Sequence, residues 1–359
     1  MPFRCSCFAP ARFRAVVGGQ GGPLAPLARC ALRLAEIPYT WAVGWRNRRY
    51  DRGRAAIHRA GVPVVCVGNL TLGGTGKTPL VKWIAHWFRE RNIRVAIVSR
   101  GYAASASGIN DEALELALSL PSVPHVQDPD RVAAARRARE EHRCQLVLLD
   151  DGFQHRRLAR DLDIVLLDAL EPFGFDHVFP RGTLREPATG LARADVVCLS
   201  RADALSPAER RAIRDRVARL APQAAWCEVA HAPSGLINST GQSQPLETLN
   251  GLRVAAFCGI GNPAGFRHTL DAAGCEIVSW MEFPDHHSFD ERDFATLGAA
   301  AASNPTDILV CTHKDLVKIA RDQLAGRPLW AVAIDIAFLD GQDALETALE
   351  RVRLSACSL

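Results

Sequence analysis

A glycine-rich stretch, TLGGTGKTP at residues 71–79, carries the most evident chemistry in the sequence. It follows a strand-like apolar run, Val64 to Val67, and precedes a segment with Leu80, Ile84, Trp87 and Phe88 on one helical face. A glycine-rich loop between a strand and a helix is the setting of a phosphate-binding loop. Its backbone N–H groups can converge on phosphate oxygens because no Cβ intrudes, and the helix N-terminus adds a partial positive charge.

The loop predicts a bound nucleoside triphosphate with Mg²⁺. Lys77 would reach the β- and γ-phosphates, and Thr78 would ligate the metal ion. The standard pattern has Gly where this sequence has Thr71, which weakens the match to the motif, and the alternative is a tight turn with an incidental lysine. The residues predicted to bind nucleotide are Thr71, Leu72, Gly73, Gly74, Thr75, Gly76, Lys77 and Thr78.

Two adjacent acids end the apolar strand in QLVLLDDGFQH. These residues, Asp150 and Asp151, would lie at the carboxyl edge of a parallel sheet and face the same crevice as the loop. One can hold Mg²⁺ directly or through water while the other orients it. The alternative is a turn with solvated acids. Glu186, in FPRGTLREP, is a weaker candidate for a third carboxylate beside the metal.

Short apolar runs alternate with helical patterns along the chain, which predicts an α/β fold with a parallel sheet and helices on both faces. The polar stretch at residues 231–251 interrupts this rhythm, and the alternation then resumes. We therefore predict a phosphate-loop core at 61–230, a linker or small connecting hairpin at 231–251, and a smaller C-terminal α/β domain at 252–359. The eleven cysteines contain no CxxC pair and predict reduced thiols rather than a zinc site or disulfides.

The N-terminal 60 residues are strongly basic, with eleven arginines against Glu36 and Asp51. Residues 1–22 are predicted to be disordered. Residues 23–60 combine apolar positions at helical spacing with Trp41, Trp45 and a basic cluster, which suits a helix lying on an anionic membrane surface. An amphipathic helix packed on the domain is the equal alternative. No segment is apolar enough to span a bilayer, and the basic residues stop too early for a nucleic-acid surface.

The order and wording of the motifs resemble the tetraacyldisaccharide 4′-kinase family of lipid A synthesis. The matching pieces are VGNLTLGGTGKTP, VSRGY, DDGFQHRRLARDLDIVLLDA, GTLREP, CGIGNP and FPDHHSF, together with the basic N-terminal segment. The resemblance implies transfer of the ATP γ-phosphate to the 4′-hydroxyl of an acylated glucosamine disaccharide 1-phosphate, giving lipid IVA. It also implies a peripheral protein at the cytoplasmic face of the inner membrane, and no obligatory protein partner is evident.

The same resemblance assigns residue roles. Lys77 and Thr78 match the phosphate and Mg²⁺ residues, and Asp150, Asp151 and Glu186 match acidic active-site positions. Asp111 matches the acid of the family's GDEP motif, and His286 matches its partner in a catalytic base dyad. The departures, Ala103, Asn110 and Ala113, surround Asp111.

A sugar hydroxyl that attacks phosphorus through a loose transition state needs positioning and a late proton acceptor, which suits such a dyad. We expect the active site to lie between the two domains and closure to bring His286 to Asp111. The rival interpretations are a nucleotide-hydrolysing switch or metallochaperone, favoured by GGTGKT and DHH, and a membrane adaptor without activity, favoured by the departures around Asp111.

Overall fold

The structure, a computed structural model, describes residues 10–19, 22–101, 111–285 and 287–357, and for residues 10–12, 111 and 112 it describes the backbone alone. Within these ranges the α-helices are α1 Pro10–Val17, α2 Ala25–Asp51, α3 Lys77–Glu90, α4 Asp111–Ser119, α5 Arg131–His142, α6 Pro207–Leu220, α7 Pro263–Ala272, α8 Glu291–Ser303, α9 His313–Ile319 and α10 Gln342–Cys357. The strands are β1 Val64–Asn69, β2 Val95–Ser99, β3 His125–Gln127, β4 Leu146–Asp150, β5 Leu162–Asp168, β6 Val196–Ser200, β7 Ala225–Ile237, β8 Ser243–Gln244, β9 Arg253–Cys258, β10 Glu276–Glu282, β11 Ile308–Thr312, β12 Gln323–Leu324 and β13 Arg327–Asp340.

One sheet runs through the molecule in the order β10-β9-β11-β13-β7-β6-β5-β1-β4-β2-β3, with β8 and β12 added at its side. Parallel pairing joins the strands β7, β6, β5, β1, β4, β2 and β3, which form the first and larger block. Parallel pairing also joins β10, β9, β11 and β13, which form the C-terminal block. The long antiparallel pair β7–β13 joins these two parallel blocks. The predicted α/β class with a mainly parallel sheet is confirmed.

Helices cover both faces of the larger block. Along β1, Val65 and Val67 pack in one hydrophobic cluster with side chains of α3 and α10. Val64 and Cys66 point the other way and pack with alanines of α5. Because successive side chains of a strand point to opposite faces, a strand apolar at every position must be covered on both sides. The fully buried pattern of β1 fits this arrangement.

The observed packing differs from the predicted segmentation at three places. Helix α1 occupies residues that were predicted to be disordered, and its Val17 is buried. Residues 231–251 contain a small hairpin, β7–β8, which was one of the two predicted alternatives, but they are not a separate linker because β7 also pairs with β13 in the main sheet. Helix α10 lies within the predicted C-terminal domain but packs against the core of the first block. The division into domains as a whole stays a prediction.

Helix α2 lies against the core with one face and exposes an apolar stripe on the other. At about 100° per residue, Leu27, Leu34 and Trp41 share one side, and all three are exposed. Glu36 and Val43 occupy the opposite side and are buried. The apolar face is therefore not the one that packs on the described core. No helix among the described residues is long and apolar enough to cross a membrane.

Candidate active site

The phosphate loop has the conformation that its glycines allow. Gly73 and Gly76 adopt positive φ angles of 110° and 74°, a backbone conformation that residues with a Cβ rarely adopt. Gly76 caps the N-terminus of α3, so that Lys77 is the first helical residue. A Cβ built on Gly74 would meet no atom within 4 Å. The loop is thus an open cradle at a helix N-terminus, suited to an anion.

The structure explains why Thr71 can replace the glycine of the standard motif. It forms an isolated antiparallel bridge with Leu184, and the next N–H, of Leu72, donates to the carbonyl of Thr183 at 2.7 Å. The Thr71 carbonyl accepts from Arg185 Nε at 3.0 Å. Thr71 is not among the residues with positive φ, so a side chain is tolerated at this position.

Lys77, Asp151 and Arg185 form a charged cluster beside the loop. Lys77 Nζ lies 3.4 Å from Asp151 Oδ1, and Arg185 Nη1 donates to both Asp151 oxygens at 2.9 and 2.8 Å. Burial alone would raise the pKa of Asp151, but the positive charges of Lys77 and Arg185 outweigh it and lower this pKa. Asp151 therefore stays ionised and holds the buried lysine at the loop.

The other predicted ligands occupy the same sheet edge. Asp150 is the buried last residue of β4 and pairs in register with Val67 of β1. Thr78 is the second residue of α3 and is half-buried. Both therefore stand where the carboxyl ends of parallel strands meet the loop. Among the described residues, no group of three or more His, Cys, Asp or Glu side chains could hold a metal ion.

Glu186 differs from Asp151 because it is almost fully buried and both its oxygens are bonded to other parts of the protein. They accept two hydrogen bonds from Arg193 Nη2 at 2.8 and 2.9 Å, one from Gln154 Nε2 at 3.0 Å and one from Asn47 Nδ2 at 2.8 Å. Gln154 also donates to the carbonyl of Asn69, the last residue of β1. Glu186 thus joins α2 to the base of the phosphate loop, and the structure does not bring it with Asp150 and Asp151 into the three-carboxylate metal group that the sequence predicted.

The predicted base dyad falls largely outside the described residues. His286 is not described, and of Asp111 only the backbone is, as the first residue of α4. Ala103 and Asn110 are not described either, whereas Ala113 is buried in α4.

The described surroundings of His286 are well packed. His287 stacks on Phe283 with ring centroids 4.9 Å apart, and its Nε2 lies 2.8 Å from Asp293 Oδ2. A Cβ on Gly259 would lie 3.2 Å from the Pro284 carbonyl. The described residues on either side of position 286 are therefore held in place.

Three residues next to the loop were not predicted from the sequence. Arg14 of α1 approaches Gly73, with Nη2 2.8 Å from the position of a Cβ there. His231 of β7 and Ser200 of β6 lie against Gly76. Each is far from the loop in sequence, and none lies in the motifs that identified it.

A cavity of about 780 Å³ lies between α2 and the segment that follows Glu186. Ile37, Trp41 and Gly44 line it on the helix side, and Thr189 and Arg193 on the core side. The mixture of apolar and charged walls can accommodate an amphipathic molecule.

Comparison with known proteins gives consistent matches. The family model described as "Tetraacyldisaccharide-1-P 4'-kinase" matches residues 28–353. A tetraacyldisaccharide 4'-kinase from Anaeromyxobacter dehalogenans (strain 2CP-C) is 43% identical over 347 residues, covering 91% of this chain and 92% of that protein. A protein of the same name from Geobacter sulfurreducens is 37% identical and covers 93% and 96%.

A solved structure is also similar over most of its length. It is LpxK from Aquifex aeolicus in complex with ATP, with a TM-score of 0.73 and 28% sequence identity. The match covers 90% of this chain and 99% of that one.

Proposed function

The chain belongs to the tetraacyldisaccharide-1-P 4′-kinase family, and we propose how its residues perform the reaction of this ATP-dependent lipid kinase. The 4′-oxygen of a tetraacyldisaccharide 1-phosphate forms a bond to the γ-phosphorus of ATP, and the bond from that phosphorus to the bridging oxygen of ADP breaks. The hydroxyl proton passes to a base, and the product is lipid IVA. The observation that carries the assignment of residues is the phosphate loop with Lys77 fixed beside it.

Lys77 and the loop glycines bind the triphosphate. The N–H groups at the start of α3 and the lysine ammonium compensate the charge of the β- and γ-phosphates. Asp151 positions Lys77, and Arg185 positions Asp151 through two hydrogen bonds.

The ligand atoms at the same edge of the sheet suit Mg²⁺. Thr78 offers a hydroxyl, and Asp150 a carboxylate, beside the place of the phosphates; both are hard oxygen ligands. Mg²⁺ needs only one or two protein ligands when phosphates and water complete its shell, so Glu186 is not required. When bound, the ion would neutralise charge on the β- and γ-phosphates.

Asp111 and His286 form the base dyad on the acceptor side. The proposal is supported by the family resemblance and by the packing around each position. Helix α4, which begins at Asp111, contacts α9 of the C-terminal block, where Glu115 Oε1 lies 3.7 Å from His313 Nδ1. His287, the residue that follows His286 in the chain, stacks on Phe283. The two positions thus belong to the two parallel blocks, and closure between the blocks would complete the dyad.

The acceptor reaches the site from a membrane surface. The stripe of Leu27, Leu34 and Trp41 faces outward on α2, and apolar stripes of this kind partition into the headgroup region. A second cavity, of about 350 Å³, is lined by Arg46, Arg49, Arg54 and Arg157 near the end of α2 and supplies charge for anionic lipids. We place the protein at the cytoplasmic face of the inner membrane.

One assay tests the activity. The full chain is incubated with Mg²⁺, γ-labelled ATP and a tetraacyldisaccharide 1-phosphate, and the lipid fraction is separated. We expect label in a bisphosphorylated lipid. Release of labelled inorganic phosphate without labelled lipid would instead favour the nucleotide-hydrolysing switch.

A further inference from the structure

The side chain of His231 lies directly against the phosphate loop. A Cβ built on Gly76 would stand 2.1 Å from His231 Cε1 and 2.6 Å from Nε2, closer than any real contact allows. The ring therefore closes on the one face of Gly76 where a side chain would be. His231 Nε2 also lies 3.1 Å from Ser200 Oγ, and Ser200 is fully buried at the end of β6.

The ring is held neutral at physiological pH. Burial lowers the pKa of His231 and the positive charge of Arg201 lowers it further, which together outweigh the opposing effects of Asp203, Asp168 and a hydrogen bond with the Gly76 backbone. Arg201 is in turn paired with Asp168 at the end of β5. A neutral imidazole can donate from one nitrogen and accept at the other, which suits a ring between a backbone group and a hydroxyl.

Gly76 is the residue whose conformation matters most for the loop. Its φ and ψ of 74° and 37° set the direction of the peptide that leads into α3. Rotation of that peptide would move both the N–H of Lys77 and the start of its side chain. The N-terminal N–H groups of a helix bind phosphate only when they point at it. A side chain that fixes Gly76 thus fixes the anion site.

His231 also stands at a particular place in the sheet. Strand β7 pairs with β6 up to Val229, and beyond it His231 lies opposite Ile336 of β13. Strand β13 holds α3 at a second point, because Lys82 Nζ lies 3.0 Å from Asp335 Oδ1. The antiparallel pair that joins the two parallel blocks is therefore also the support of the phosphate loop and the first turns of α3.

We propose that His231 is a positioning residue for ATP: it holds Gly76, and with it the Lys77 peptide, in the phosphate-binding geometry. The inference rests on the family's ATP-dependent reaction and goes beyond it by naming the support of the loop. Since preorganisation lowers the ordering cost of binding, removing the support weakens ATP binding and leaves acceptor binding unchanged.

The test compares two variants of His231 with one control variant in the full chain. His231→Leu keeps most of the ring's volume without hydrogen bonding, His231→Gln restores a donor and an acceptor, and His268→Leu replaces an exposed histidine of α7. The dissociation constant for ATP, the KM for each substrate and the melting temperature are measured for each.

We expect His231→Leu to weaken ATP binding about tenfold, the scale of one buried hydrogen bond, with KM for the lipid acceptor unchanged. His231→Gln should lie within about threefold of the wild type, and His268→Leu should equal it. Wild-type ATP affinity in His231→Leu would overturn the proposal. So would equal rises of both KM values, which indicate a general disturbance of the fold.

Ser200→Ala keeps the test decisive if the His231 variants do not fold. It removes only the hydroxyl 3.1 Å from Nε2 and should weaken ATP binding about threefold. A folded Ser200→Ala protein with unaltered ATP affinity would count against His231 as the support of the loop.

Discussion

Two carboxylates near the site, Asp151 and Glu186, are both paired with arginine, yet they stand in different surroundings. The Asp151 side chain is 36% exposed and shares its charge between Lys77 and Arg185. The Glu186 side chain is 1% exposed and accepts four hydrogen bonds from three side chains. A partly exposed acid can exchange partners when a nucleotide arrives, because water can compensate a lost hydrogen bond. A buried acid cannot, because every lost bond leaves an unpaired buried charge.

The comparison separates a functional acid from a scaffold acid of similar chemistry. Asp151 acts on the residue that meets ATP, so its removal should change rate more than stability. Glu186 ties α2 and the base of β1 together, so its removal should change stability more than rate. Variants at these positions, and at Lys77 beside them, test whether the two acids have these different roles.

The largest effect is expected for Lys77→Ala, which should lower kcat more than about 1,000-fold. The ammonium that offsets phosphate charge is lost, and charge stabilisation carries most of phosphoryl transfer. Steady-state phosphorylation of the lipid acceptor measures it. Arg89→Ala, an exposed cation at the other end of α3, is the matched control. Unchanged rates in Lys77→Ala would remove the assignment of the loop.

Glu186→Gln should lower the free energy of unfolding by about 3 kcal/mol, because Arg193 loses the partner that balances its charge in a mostly buried site. We expect kcat to stay within about threefold of the wild type. Urea titration with an activity measurement decides the matter, and exposed Glu247→Gln is the control. A large loss of kcat at full stability would instead restore Glu186 as an active-site metal ligand.

Asp151→Asn should lower kcat about 100-fold and change the melting temperature little at neutral pH. Lys77 keeps its charge but loses the ion pair that positions it. The folded pKa of Asp151 is lowered, so its ion pair contributes stability above the ordinary aspartate pKa of about 3.9 and loses it as pH falls through the lowered value. The small difference in melting temperature between wild type and variant should therefore shrink below about pH 4. A difference that grows in acid would contradict this.

The sequence predicted the parts of the site that are local in the chain. The strand, the glycines, Lys77 and the paired acids lie within short motifs. The order of residues in such a motif is enough to predict that they stand at the end of a strand or the start of a helix. Thr71 lowered the match to the motif, but the bridge to Leu184 that explains it joins residues more than a hundred positions apart. Such a contact leaves no periodicity to detect.

The parts that could not be predicted depend on distant segments. The metal role predicted for Glu186 stays a prediction, but its hydrogen bond from Asn47 joins residues 139 positions apart and has no signal in the sequence. The packing of α10 on the first block, and of His231 on Gly76, likewise follows from the route of the whole chain. A short motif identifies chemistry, whereas the long-range contacts decide which residue performs it.

The smallest effect concerns α2, which Glu186 holds in place. If its exposed face meets lipid, replacing Leu27 and Leu34 by serine should weaken binding to vesicles containing phosphatidylglycerol about tenfold, since two exposed apolar side chains are lost. Phosphorylation of acceptor in vesicles should fall in step, whereas the rate on detergent-solubilised acceptor should not. Leu354→Ala, an exposed apolar position on α10, is the control. Equal vesicle binding by the wild type, the double variant and Leu354→Ala would exclude the apolar stripe of α2 as the membrane contact. Glu186 would then remain only the residue that anchors α2 to the core.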